Sequence, residues 1–104
     1  MYCISWNVNG IRASWNHGLS GFLESTGADI YALQETKINE RFLPAELEGY
    51  EAYWNFCNSR KGYSGTLILT KLKPLRVSYD FGDYDFETEG RIITLEFETF
   101  CSIC

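Results

Sequence analysis

The chain has 104 residues, 45% hydrophobic and 22% charged, with a formal net charge of −5. That is material for one domain, and three Trp, seven Tyr and seven Phe give it enough apolar surface to bury that disorder is excluded. The acidic balance excludes a protein that grips nucleic acid by bulk positive charge, though not one that uses a metal ion and a few local cations.

The first element is Tyr2 to Trp6, an alternating run rich in aromatic and β-branched residues that reads as a buried strand. Asn7-Val8-Asn9-Gly10 breaks it. Leu19, Phe22 and Leu23 fall on one helical face, and Gly27 stands where a helix closes. Ile30 to Leu33 is a short apolar strand expected to be covered on both faces, so residues 2–33 read as strand, helix, strand. Pro44 to Leu47 allows a turn or two of helix. Tyr50 to Phe56, Gly65 to Thr70 and Leu75 to Tyr79 read as strands. Asp80 to Glu89 is acidic and aromatic and reads as a loop. Arg91 to Phe100 reads as one strand, and Cys101 to Cys104 lies inside or just beyond it. About six strands and one good helix make an α/β arrangement in which the helical part covers one face of a sheet.

Cys3, Cys57, Cys101 and Cys104 accompany no signal-peptide pattern, so a cytoplasmic chain with reduced thiols is the expectation. Cys101-x-x-Cys104 has no second such pair and reads as small apolar residues rather than half a metal site. No run approaches about 18 apolar residues, so no membrane-spanning helix is expected.

The chemistry lies where strands end. Asn7, Asn9 and Glu35 all stand just past the carboxyl ends of two strands, where α/β folds gather their sites. If those strands are neighbours, the three groups share a patch of oxygen ligands suited to Mg²⁺, which needs only one or two carboxylates and keeps several waters. Glu35 would supply the charge and Asn7 a neutral oxygen, while Lys37 and Arg12 would meet phosphate oxygens. In Lys61-Gly62-Tyr63-Ser64-Gly65, Tyr63 is placed to stack on a nucleotide and Ser64 to bond a phosphate; a tight turn with a surface tyrosine is the alternative. Arg91, in Glu89-Gly90-Arg91, opens a strand and is placed to reach a phosphate. His17, the only histidine, has no partners for a Ser-His-Asp set.

These clusters, "SWNVNGIRA" (5–13), "ADIYALQETKI" (28–38), "KGYSGT" (61–66) and "EGRIITLEF" (89–97), in this order resemble the exodeoxyribonuclease III family of DNA-repair nucleases, within the endonuclease/exonuclease/phosphatase superfamily. The resemblance implies a four-layer α/β sandwich of two packed sheets and outer helices. It implies Mg²⁺ or Mn²⁺ as cofactor, and double-stranded DNA with abasic sites or 3′ ends as substrate. It implies Glu35 and Asn7 at the metal, Asn9 nearby, and Arg12, Tyr63 and Arg91 against DNA; Lys37 beside the metal and Ser64 at a phosphate rest on position alone. The family is much longer, so residues 1–104 are expected to be a partial domain, the N-terminal two-fifths of the fold and cut short. The family's water-positioning Asp and its late histidine have no counterpart, so no catalytic base is assigned and the chain alone is expected to be inactive. Two alternatives stand: a non-catalytic DNA- or metal-binding module, and a phosphoesterase of the same superfamily.

Overall fold

Ile30, Tyr31 and Leu33 in one segment and all of Thr66–Thr70 in another are buried, and these two strands form the centre of the main sheet. The structure, a computed structural model, describes residues 2–42, 49–57, 61–79, 92–98 and 100–103. The helix expected over Pro44 to Leu47, the loop over Asp80 to Glu89, Arg91 and Cys104 lie outside them.

The main sheet has the order β1-β2-β4-β3, from Cys3–Asn7, Ile30–Gln34, Thr66–Thr70 and Glu51–Asn55 respectively. β1 and β2 are parallel, and β4 runs antiparallel to both β2 and β3. Alternation along the central strands divides their side chains between two cores. Tyr31, Leu33, Leu67, Leu69 and Trp54 meet Leu19 and Leu23 of the helical layer. Ile30 and Ile68 face the other way, onto Ile93 and Leu95 of a second sheet. That sheet has the order β5-β6-β7, from Arg76–Tyr79, Ile93–Glu96 and Cys101–Ile103. The described layers are therefore helix, sheet, sheet. Truncating Leu67 or Leu69, each at most 1% exposed, to alanine removes core from the middle of this stack, at about 2–5 kcal/mol.

The crossover between β1 and β2 carries two helices, α1 (Ile11–Ser14) and α2 (Ser20–Thr26), joined by a wide turn over Trp15–Leu19 in which His17 and Gly18 leave helical angles. Gly27 closes α2 at φ 54°, the left-handed cap that glycine favours. Tyr31 locks this end: its hydroxyl donates to the Leu23 carbonyl, accepts the Ala28 N–H and bonds Thr26 Oγ1. Tyr50 packs beside it, 5.7 Å between ring centroids, and donates to the Ala28 carbonyl at 2.7 Å.

Burial and the neighbouring Tyr31 and Asp29 push the Tyr50 phenol from its ordinary value of 10.0 up to about 12. A group whose folded pKa is raised contributes stability that is intact below its unfolded pKa and is lost as pH climbs to the folded one. The urea midpoint is therefore expected to fall as the pH is raised from about 10 toward 12, and Tyr50→Phe to flatten that fall.

Two strand expectations are corrected. β1 is an edge strand with four of its five residues exposed, not a buried one. Its alternation is real, and Trp6 meets Phe22 edge-on at 5.1 Å, but among the described residues only β2 pairs with it. The run from Arg91 to Phe100 is not one strand. It stops at Glu96 and turns back, with the Phe97 N–H bonded to the Phe100 carbonyl at 2.7 Å and the two rings stacked at 4.6 Å. β7 then pairs antiparallel with β6, Glu96 opposite Cys101.

Candidate functional site

Because β1 and β2 run parallel and in register, Asn7 opposite Gln34, their carboxyl ends open onto the same edge of the sheet. β4 begins there and β3 ends there, Asn55 opposite Thr66. Three loops meet at this edge: Val8–Gly10, Glu35–Asn39 and the segment ending at Gly65.

Backbone bonds sew them together beyond the strands. Val8, Gly10 and Ile11 donate to the carbonyls of Gln34, Glu35 and Thr36; Thr36 and Lys37 donate to those of Gly65 and Ser64. The Ser14 hydroxyl closes the first loop on the Val8 carbonyl. The sewing forces tight conformations. Asn9, Glu35, Lys37 and Ser64 all hold positive φ, 48° to 57°. Asn tolerates that region, but a side chain such as Glu or Lys held there costs on the order of 1–2 kcal/mol. Left-handed residues gathered at one edge are the kind of strain that functional loops store.

Three of these strained residues, Asn9, Glu35 and Lys37, form a ring with Asn7. Asn7 Nδ2 donates to Glu35 Oε2 at 2.5 Å, and Asn7 Oδ1 accepts the Asn9 N–H at 3.0 Å. Lys37 Nζ donates to Asn9 Oδ1 at 2.6 Å and stands 3.8 Å from Glu35 Oε1. Glu35 is thus aimed by an amide on one oxygen and a cation beside the other. Its side chain is 45% exposed and that of Lys37 is 40%, so the ion pair adds little to stability and serves chiefly to set orientation. The structure brings together all four residues named from the sequence for the metal and its surroundings.

Of the residues expected at DNA, Tyr63 and Ser64 line a recess of about 370 Å³ with Glu35, Lys37 and Gly62. Arg12 is turned to a neighbouring recess, where its Nη2 meets Glu40 Oε1 at 2.5 Å. Arg91 is outside the described residues, although Ile92 beside it is held by Asn55, whose Nδ2 donates to the Ile92 carbonyl at 2.8 Å. His17 sits exposed in the wide turn and joins no site.

Two supports were not visible in the sequence. Asn39 donates to the Cys57 carbonyl at 2.7 Å and accepts the Gly62 N–H at 2.8 Å, so one amide ties Cys57, just after β3, to Gly62, the residue before Tyr63 and Ser64. Asn39→Ala is expected to lower stability by about 1–2 kcal/mol, and Asn39→Asp, which keeps only the acceptor, by roughly half of that; urea melts of both would check it. Gly65, at φ 92°, lies against Thr36: a Cβ there would stand 2.4 Å from Thr36 Oγ1. The only sequence signal for either was a polar run after Glu35 and a glycine pair around Tyr63.

The donor set limits which metal could sit here. The ring offers one carboxylate and two side-chain amides, not the Cys and His ligands typical of Zn²⁺ sites. One oriented carboxylate with neutral oxygens beside it fits a hard, mostly water-liganded divalent cation.

The family model described as the endonuclease/exonuclease/phosphatase family matches residues 4–103. An exodeoxyribonuclease of Bacillus subtilis (strain 168) is 46% identical over 99 residues, covering 94% of this chain and 39% of the relative. The DNA repair nuclease APEX1 of Danio rerio is 39% identical over 104 residues, covering 96% and 34%. Among solved structures, an AP endonuclease from Archaeoglobus fulgidus superposes with a TM-score of 0.77 at 30% identity, over 96% of this chain and 38% of that one. The chain thus spans between a third and two-fifths of the length of these proteins.

Proposed function

The chain belongs to the endonuclease/exonuclease/phosphatase family, and from that premise we propose that it carries the cation-binding and strand-positioning part of a DNA-repair nuclease that hydrolyses phosphodiesters at abasic sites and 3′ ends. The observation that carries this reading is the ring of Asn7, Asn9, Glu35 and Lys37 at the shared end of β1 and β2, joined by bonds of 2.5 to 3.0 Å and closed by the 3.8 Å ion pair of Lys37 with Glu35.

In this reading Glu35 holds Mg²⁺ or Mn²⁺, with Asn7 fixing the carboxylate. The cation would polarise a phosphoryl oxygen and offset charge that builds on the leaving oxygen. Lys37 supplies a positive charge to a non-bridging oxygen beside it. Tyr63 and Ser64, on the wall of the same recess, offer a ring face to a base or sugar and a hydroxyl to the backbone. Arg91 is assigned to a phosphate by family resemblance alone. What the ring lacks is a second carboxylate or a histidine to take a proton from water. A missing general base costs roughly 10²–10⁴ in rate, so the 104-residue chain is proposed to bind without turning over at an enzyme's rate.

The test is a duplex oligonucleotide with one abasic site, offered to the purified chain with Mg²⁺, with EDTA and as Glu35→Ala. Metal-dependent retention of the duplex, weakened in Glu35→Ala and without rapid nicking, is the expected result. Rapid cutting that Glu35→Ala abolishes would show a complete site and overturn the assignment of the base elsewhere. A folded chain that neither retains nor cuts the duplex would end the reading.

A further inference from the structure

Beside the ring lies a recess of about 510 Å³, lined by Arg12, Lys37, Ile38, Asn39, Glu40 and Lys61. Three cations and one anion give it a formal charge of +2, in a chain whose total is −5. It shares Lys37 with the recess of Glu35, Tyr63 and Ser64, so the two recesses adjoin at that side chain. The single anion is the anomaly. Glu40 places Oε1 2.5 Å from Arg12 Nη2, where a phosphate oxygen would otherwise sit.

We infer that Glu40 is the residue that sets how tightly this face holds a nucleic-acid strand: its carboxylate competes with phosphate for the Arg12 guanidinium. The inference rests on the reading of the chain as a DNA-handling protein. Three features support it. The pair is made by one oxygen on one nitrogen, so it lacks the two-point fork that makes Arg–carboxylate pairs hard to part. Both side chains are open to water, 54% exposed for Arg12 and 74% for Glu40, and exposed pairs are worth little. Glu40 also lies three residues beyond Lys37, on the loop that carries Glu35, so a strand arriving at the ring brings its charge up against this carboxylate. A phosphate diester competes for the same donors with two non-bridging oxygens but shares Arg12 with the carboxylate rather than taking it outright. The competition keeps binding weak enough for release.

The test uses the full chain and a fluorescein-labelled duplex with one abasic site, titrated by anisotropy over a range of salt. Glu40→Gln keeps the size and polarity of the side chain and removes its charge. It is expected to tighten binding about 3- to 10-fold at low salt and to steepen the dependence of log K on log salt by about one unit, the signature of one more phosphate contact. In Arg12→Ala, Glu40→Gln is expected to bring little gain. Equal affinity of wild type and Glu40→Gln, or a full gain that persists without Arg12, overturns the inference while leaving the DNA reading intact. No retention of the duplex by wild type or Glu40→Gln, both shown folded by circular dichroism, removes the DNA reading and this inference together.

Discussion

Gly65→Ala is expected to cost about 3 kcal/mol or more, enough to unfold much of the population of a marginally stable domain. Two separate terms produce that loss. At φ 92° the backbone of Gly65 sits where residues with a Cβ are strained, and one such residue costs on the order of 1–3 kcal/mol. The added methyl would also stand 2.4 Å from Thr36 Oγ1, with the Asn55 carbonyl and the Lys37 amide each 3.6 Å away. The neighbour cannot swing aside, because Thr36 is 0% exposed and its N–H is bonded to the Gly65 carbonyl. The contact is close because Gly65 immediately precedes β4 and Thr36 follows β2, and the Thr36 N–H bonds the Gly65 carbonyl.

The two terms can be separated. Thr36 Oγ1 is buried with no hydrogen-bond partner among the described residues, so Thr36→Ala loses a methyl contact but no hydrogen bond and is expected to be mild, about 1 kcal/mol. Combined with Gly65→Ala it should return the steric part of the loss, leaving about 1–2 kcal/mol from the φ angle. Urea midpoints of the four proteins close the cycle. A Gly65→Ala chain as stable as wild type would show that these backbones do not approach as described.

What could be read in advance, and what could not, divides along physical lines. Ile30 to Leu33 and Gly65 to Thr70 were legible because strands buried on both faces carry unbroken apolar runs. The helix around Leu19, Phe22 and Leu23 was legible from its period and from Gly27. β1 was misread as buried because alternation reports two faces, not how many strands lie alongside. The turn after Glu96 was missed because Phe97-Glu98-Thr99-Phe100 holds no Gly, Pro, Asn or Asp; the contacts seen there are a Phe97–Phe100 ring stack and the Phe97 N–H on the Phe100 carbonyl. The ring residues were legible as polar groups past strand ends, and parallel in-register pairing was all that remained to unite them. Asn39, Thr36 and Glu40 were not, because each acts through a partner 18 to 29 residues away in sequence. A residue type says nothing of such a partner.

Glu35 offers a second large effect and a test of why its loop is strained. In Glu35→Gln an amide oxygen still accepts from Asn7 Nδ2, so the loop keeps its bond while the charge disappears. Affinity for Mn²⁺, followed by the free-ion resonance signal, is expected to fall at least about 100-fold, because a hard cation bound largely through water depends on the one carboxylate it has. Glu35 also holds φ 54°, a conformation that suits glycine and that no other feature of glutamate favours. Glu35→Gly is therefore expected to lose Mn²⁺ equally but to be more stable than Glu35→Ala by about 1 kcal/mol, since alanine keeps the strained Cβ and glycine does not. Undiminished Mn²⁺ binding in Glu35→Gln would remove Glu35 from the metal. A Glu35→Gly chain less stable than Glu35→Ala would show that the angle stores no strain. If both expectations hold, the fold keeps at this position a residue that works against its own stability. The same backbone angle that strains Glu35 turns its carboxylate toward Asn7 and Lys37, so relieving the strain and removing the cation site are one change.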